Sequence, residues 1–391
     1  MTKTAPIRAA DALARRLHSA GCRYAFGMPG GEVLTLVDAL EAAGIRFILA
    51  KHENAAAFMA EGVHHQTGAP AILVATVGPG ALNGVNAVAN AHQDRVPMIV
   101  LAGAVDPDEV QTYTHQVLDQ QAVFRPITKA SISLVPGAAH VIADKAVGIS
   151  TEGRPGPVHI DVPISVADAP VAAAPPPARA AAAPTVPAGG ALAEAKRWLA
   201  EARRPVIVAG VDAMNESAGP ALTAFAERFG TPVITTYKAK GLLAEDHALA
   251  LGGAGLSPLA DSHLMPLVQA ADLVLCVGYD PIEMRTGWRN PWSPDTQRVI
   301  DITAEPNHHY MHQAGISVIG NCAATLEALS VGADPQVTWP DDMPQTVKRK
   351  LAEAFPTDDD WGPAAVIDTC RAVLPRDTVA TADSGAHRIL L

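Results

Sequence analysis

Short apolar runs that close on a glycine turn and pass into helical spacing recur along this chain. That alternation restricts its fold more than any other feature. Tyr24-Ala25-Phe26-Gly27 reads as a strand, Met28-Pro29-Gly30-Gly31 as a tight turn, and a helix follows from about Glu32 to Ala43. Phe47-Ile48-Leu49-Ala50 is a second strand end, and Lys51-His52-Glu53 carries it into a helix rich in small residues. Ala71-Ile72-Leu73-Val74-Ala75-Thr76 runs into Gly78-Pro79-Gly80 and then a helix to His92, and Val96 to Gly103 is another strand. Gly156 to Pro163 reads as the last strand of this first domain. Strands so apolar, separated by helices, imply a parallel sheet covered on both faces.

The same grammar returns after an Ala/Pro-rich stretch. Pro205 to Gly210, Thr231 to Thr236, Asp272 to Gly278 and Gln297 to Ile302 read as the strands of a second doubly wound sheet. The fold class expected is α/β, with two doubly wound parallel-sheet domains and the start of a third. The boundaries expected are a first domain over 1–166, a linker over 167–190, a central domain over 191–335, a linker with a helix inside it over 336–363, and the third unit over 364–391. That last unit reads as a helix from Ala364 to Leu374, a strand from Thr378 to Ala382 and a turn from Asp383 to His387. One helix and one strand cannot bury a core of their own, so the sequence reads as the front part of a longer protein or as a unit that docks on the first two.

Composition narrows the function. A net charge of -11 argues against nucleic acid, which demands a concentrated basic surface. No apolar run is long enough to span a bilayer, and Met1 to Pro6 lacks the apolar core of a signal peptide. Cys22, Cys276, Cys322 and Cys370 are far apart and form no C-x-x-C pair, so a reducing, cytoplasmic compartment is expected.

Glu53 stands where a strand hands over to a helix, the edge at which ligands collect in parallel sheets. A carboxylate there, flanked by Ala and Phe, can trade a proton with a bound ring nitrogen. The same position also suits a glutamate held only by the helix dipole. Gly78-Pro79-Gly80 suits close backbone approach by a ligand, but its next glycine is Gly84, one place late for the dinucleotide fingerprint. The phosphate-binding G-x-x-x-x-G-K-[ST] is missing from the sequence. His52-Glu53 fails as a zinc-protease helix because Ala56 occupies the second histidine position. His308, His309 and His312 stand at helix-compatible spacing that admits a metal site, but a surface cluster is the preferred reading, since no carboxylate or cysteine pattern accompanies them.

Together, Gly27 to Gly31, Lys51-His52-Glu53, Gly78 to Asn83, Ala91 to Pro97 and Gly153 to Val158 stand in the order and spacing of a known family. The chain resembles thiamine diphosphate-dependent enzymes of the acetolactate synthase and pyruvate oxidase type over nearly its whole length. The resemblance implies that Glu53 is the glutamate that hydrogen-bonds the aminopyrimidine nitrogen and prepares the cofactor to lose its thiazolium proton. It places Pro29, Gly30 and Gly31 near the reacting carbon, Thr76, Gly78, Gly80 and Asn83 near the pyrimidine, and His115 and Gln116 against the substrate. Gly385, Ala386 and His387 resemble the turn that touches the diphosphate. The family's Gly-Asp-Gly…Asn motif for Mg2+ would follow Leu391, so no metal ligand is named here. FAD, which some members carry, is matched only in part, with Arg285 as the candidate phosphate contact.

The activity implied is carbon–carbon bond cleavage or formation on a 2-oxo acid, acetolactate synthase-like, by a homodimer or homotetramer. A simple 2-oxo acid decarboxylase or other lyase stays open, as does a non-catalytic nucleotide-binding or scaffold protein that keeps the first two domains.

Overall fold

The computed structural model describes residues 5–177, 180, 182–356, 361–382, 385 and 390. It divides into two compact units, Met1–Ala183 and Pro184–Leu391. No helix of the described residues is long and apolar enough to cross a membrane.

The first unit runs β1 (Ile7–Arg8), α1 (Ala9–Ser19), β2 (Tyr24–Gly27), α2 (Leu34–Ala42), β3 (Arg46–Leu49), α3 (Glu53–Thr67), β4 (Ala71–Ala75), α4 (Pro79–Asn83), α5 (Val85–Gln93) and β5 (Met98–Ala104). It continues through α6 (Gln120–Phe124), β6 (Ala130–Ser133), α7 (Ala139–Thr151), β7 (Val158–Pro163), α8 (Ile164–Asp168) and β8 (Pro170–Val171). Six strands form a parallel sheet in the order β3-β2-β4-β5-β7-β6. The pleat divides its side chains between two cores. Ile72, Val74, Ile99 and Leu101 pack under α1, α2 and α7, whereas Leu73, Ala75, Val100 and Ala102 pack under α3 and α5. Aromatic residues make up 4% of the sequence, so alanine carries much of the helix packing: Ala56, Ala57 and Ala60 of α3 are fully buried.

From β2 the chain crosses to β3 on one side, then back to β4 on the other. The carboxyl ends of β2 and β4 therefore flank a topological switch point, where a crevice opens in sheets of this kind. Both strands end in glycine turns. β8 pairs antiparallel with β1, so Pro170–Val171, inside the stretch read as linker, is tied to the first unit.

The second unit contains α9 (Gly190–Glu201), β9 (Pro205–Ala209), α10 (Val211–Asn215), α11 (Gly219–Phe229), β10 (Val233–Thr236), β11 (Ala250–Ala254), α12 (Pro258–Ala270), β12 (Leu273–Val277), β13 (Arg298–Thr303), β14 (Ile316–Ile319), α13 (Cys322–Ser330), α14 (Met343–Ala354) and α15 (Pro363–Val373). Its parallel sheet has the order β11-β10-β9-β12-β13-β14, the arrangement of a dinucleotide-type fold. Both sheets bear out the doubly wound α/β expectation. The helix expected inside 336–363 is α14. Val347 of α14 is buried, and just before the helix Trp339 donates its indole N–H to the Pro205 carbonyl at 2.8 Å.

Thr378–Ala382 is a correction: these residues form no strand. A strand needs a neighbour to take its backbone hydrogen bonds, and none is provided among the described residues. Three strands of the six-stranded sheets escape sequence reading, as do the two-residue strands β1 and β8. β6, β11 and β14 are all sheet edges, and β11 reads Ala-Leu-Gly-Gly-Ala, too glycine-rich to show as an apolar run.

The closeness of β2 to β4 generates a prediction. A Cβ on Gly27 would overlap the Val74 carbonyl, which is backbone and cannot swing away. Gly27→Ala should lower stability by about 1–3 kcal/mol, seen as an earlier urea midpoint.

Candidate functional site

The switch-point crevice of the first unit is built from side chains that the glycine turns leave uncovered. α3 starts at Glu53 because His52 is extended and its Nδ1 accepts the Asn54 N–H at 3.2 Å, capping the first turn. Glu53 is thereby set at the helix N-terminus, where the backbone dipole favours an anion. Only 4% of it is exposed. Asn83, the last residue of α4, donates its Nδ2–H to Glu53 Oε2 at 3.0 Å.

The other carboxylate oxygen lies beside Gly80. A Cβ on Gly80 would lie 3.3 Å from Glu53 Oε1 and would overlap Thr76 Oγ1. A Cβ on Gly30 would lie 2.6 Å from Thr76 Cγ2 and 2.9 Å from Glu32 Oε2. Gly30, Thr76, Gly80, Asn83 and Glu53 are thus brought to one place, and glycine at two of these positions is what lets Thr76 pack closely against both turns. Gly78 has φ +60° and ψ −112°, a conformation suited to glycine, and it lets Pro79 start α4 directly. The Gly78 N–H is held by Gln120 Oε1 at 2.6 Å.

Pro29 and Gly31 lie exposed on the turn beside Gly30. His115 and Gln116 lie in the irregular stretch before α6, and both are exposed. The Gln116 backbone, at φ +57°, puts its carbonyl where a side chain on Gly78 would go. The His115 ring stands edge-on to Tyr113 at 6.3 Å. Arg285, in the second unit, is exposed and donates its backbone N–H to the Gly255 carbonyl at 3.2 Å. Gly385 is exposed, while Ala386 and His387 lie outside the described residues. No group of three or more His, Cys, Asp or Glu side chains suited to a metal occurs among the described residues.

Sequence reasoning missed the groups behind the site. Asp161 on β7 is 8% exposed and burial raises its pKa, opposed by hydrogen bonds from Gln121 and Gln120. His159, on the same strand, is fully buried, and desolvation lowers its pKa to about 3. Its ring stacks on Phe124 at 4.3 Å and its Nδ1 lies 2.8 Å from Ser131 Oγ. The signal was present in one place: His159 and Asp161 interrupt an otherwise apolar strand. Gln120 gave none, because a polar residue outside a periodic run is unremarkable.

The arrangement offers a buried carboxylate with one oxygen held by Asn83 and the other beside Gly80. Such a group can accept a hydrogen bond from, or share a proton with, a ring nitrogen placed there.

Comparison with known proteins identifies the domains. Residues 7–123 match the thiamine pyrophosphate enzyme N-terminal TPP binding domain, and residues 192–329 match the thiamine pyrophosphate enzyme central domain. The chain is 33% identical to the probable acetolactate synthase large subunit of Methanocaldococcus jannaschii, over 83% of this chain and 56% of that protein. It is 29% identical to the acetolactate synthase of Bacillus subtilis, over 98% of this chain and 68% of the relative. It is 32% identical to the probable 2-ketoarginine decarboxylase of Pseudomonas aeruginosa, over 96% of this chain and 67% of the relative. The chain thus spans between about half and two thirds of the length of these three relatives. Two family domains matched in order, on the two six-stranded sheets, mean that this chain belongs to the thiamine pyrophosphate enzyme family.

Proposed function

We propose that this chain provides the pyrimidine-binding and central domains of a thiamine diphosphate-dependent enzyme. Its reaction would cleave or form a carbon–carbon bond next to the carbonyl of a 2-oxo acid, in the manner of an acetolactate synthase. One observation carries the reading: Glu53 is buried at the start of α3, Asn83 holds one of its oxygens, and the other lies beside Gly80, where a Cβ would come within 3.3 Å of it.

When bound, thiamine diphosphate supplies the electron sink for bond cleavage. The residues of this chain supply orientation and a proton relay. Glu53 holds a proton at the pyrimidine ring nitrogen, and Asn83 keeps the carboxylate turned toward it. Gly30, Gly80 and Thr76 shape the slot, with Pro29 and Gly31 at its rim. The Gly78 turn sets the backbone beside the ring. His115 and Gln116, exposed on their loop, are the residues of this chain proposed to meet the 2-oxo acid. Mg2+ and its ligands, with the diphosphate contacts beyond Gly385 to His387, belong in this reading to chain that follows Leu391.

A second copy of the chain is the partner proposed. α3 exposes Phe58 and Met59, and Leu49 and Leu82 are exposed at the ends of neighbouring elements of the same unit. Large apolar groups left open in this way suit burial between subunits, as a homodimer or homotetramer. Cytoplasmic location is part of the same proposal. A simple decarboxylase is the second reading, favoured by the likeness to the Pseudomonas aeruginosa protein.

FAD does not fit the second unit, and Arg285 is not assigned to it. The switch point of that sheet lies between β9 and β12, where a dinucleotide would bind. The turns there are bonded to each other: the Gly210 N–H to the Val277 carbonyl at 2.9 Å and the Asp212 N–H to the Gly278 carbonyl at 3.1 Å. A buried carboxylate, Asp212, stands where diphosphate would need donors. Beyond β12, Tyr279 stacks on His312 at 5.5 Å, with Trp292 4.9 Å from the same ring.

Three outcomes are expected. Thiamine diphosphate with Mg2+ should give binding heat with a chain extended past Leu391 and much less with residues 1–391, as read by isothermal titration. In the extended enzyme, Glu53→Gln should slow exchange of the thiazolium proton by about 10²-fold or more, and unchanged exchange would sink the assignment of Glu53. The purified extended enzyme should show no flavin absorbance, and titrated FAD should leave its own fluorescence unquenched.

A further inference from the structure

Behind the Gly78 turn lies a run of buried polar groups that the proposed chemistry does not use. Gln120, the first residue of α6, is 4% exposed. Its Oε1 accepts the Gly78 N–H at 2.6 Å. Its Nε2 donates to the Gly103 carbonyl at 3.1 Å and to Asp161 Oδ1 at 2.7 Å. The next residue repeats the pattern, since Gln121 Nε2 donates to Asp161 Oδ2 at 3.0 Å and to Ser133 Oγ at 2.7 Å.

A single side chain therefore joins the turn after β4, the end of β5, the middle of β7 and the start of α6. A primary amide suits the task, because it accepts at one end and donates twice at the other. Bonds to an ionised carboxylate in a buried setting are also the strong kind. The residue just upstream is drawn into the same contact: the Gln116 carbonyl fills the place a Gly78 side chain would take. Asp119 then fixes the start of α6 by accepting the Ala122 N–H at 2.9 Å.

We infer that Gln120 is the positioning residue of the cofactor turn: it holds Gly78 so that Gly80 and the Glu53 carboxylate stay open to the pyrimidine, and it locks the loop carrying His115 and Gln116 to that turn. This rests on the thiamine diphosphate reading. Gln120 touches no reacting atom in that reading; it acts through Gly78.

A charge at position 120 makes the clamp switchable. In Gln120→Glu one carboxylate oxygen still accepts from Gly78, but the other faces the Gly103 carbonyl on β5 and the Asp161 carboxylate on β7. His159, also on β7 and 3.4 Å from Asp161 Oδ1, is neutral and offers no compensation, and Asp119 adds a further negative charge next in sequence. Two carboxyls this close cannot both ionise cheaply, so they share a proton at low pH and repel at high pH. The clamp in Gln120→Glu should close in acid and open in base. Gln120→Leu, of similar size, should leave it open at every pH.

The test is amide hydrogen exchange at Gly78 in the full chain, corrected for intrinsic rates, at about pH 5.5 and about pH 8. The unsubstituted chain should keep one protection factor at both. Gln120→Leu should lose about tenfold at both, and Gln120→Glu about tenfold only at the higher pH. Far-ultraviolet circular dichroism should show all three folded. In the extended enzyme, thiamine diphosphate affinity should follow the same pattern. Equal Gly78 protection in the three folded chains would overturn the inference, as would altered protection with unaltered cofactor affinity. Failure of the unsubstituted extended enzyme to bind thiamine diphosphate would strike the functional reading instead, and the exchange result would still decide the clamp.

Discussion

A carboxylate withdrawn from water at the first turn of α3 is the constraint around which the first unit is arranged. Burying an ion without partners costs several kcal/mol, so Glu53 needs compensation from its surroundings. Two sources are in place: the helix N-terminus, with its unpaired N–H groups, and the Asn83 amide on α4. Among the described residues, Asn83 is the side chain that satisfies one oxygen. The other lies beside Gly80, where the lack of a Cβ leaves it uncrowded.

The glycines make sense in the same terms. β2 and β4 must lie side by side for the crevice to form between their ends, and Gly27 permits that by presenting no Cβ to the Val74 carbonyl. Gly78 reverses the chain and starts α4, which brings Asn83 back over Glu53. Gln120 and Asp161 then support that turn from beneath. Strand order, turn conformation and side-chain partner are links of one chain of causes, each set by the one before.

Much of this was legible beforehand because it depends on local signals. An apolar run, a glycine turn and helical spacing follow one another in sequence, so both sheets and the place of Glu53 could be read directly. Three of the four edge strands of the large sheets could not. β6, β11 and β14 are stabilised by one neighbour, and their residues carry no apolar run of their own. Thr378–Ala382 failed for the converse reason, since its composition favours a strand but no sheet receives it. Asp161 interrupts a strand visibly, yet its partners Gln120 and Gln121 lie 41 and 40 residues away in sequence. Long-range pairing of that kind leaves no periodic trace. The second unit teaches a related point: its strand order matches a dinucleotide-binding fold, but that order alone says nothing of the turns after β9 and β12, where the Asp212 N–H bonds the Gly278 carbonyl.

The most direct measurement is a crystal structure of the enzyme extended past Leu391 with thiamine diphosphate and Mg2+ bound. The account predicts a Glu53 carboxylate oxygen within about 2.6–3.2 Å of a pyrimidine ring nitrogen, with Asn83 still bonded to the other oxygen. A pyrimidine ring seated away from Gly30, Gly80 and Glu53 would contradict it.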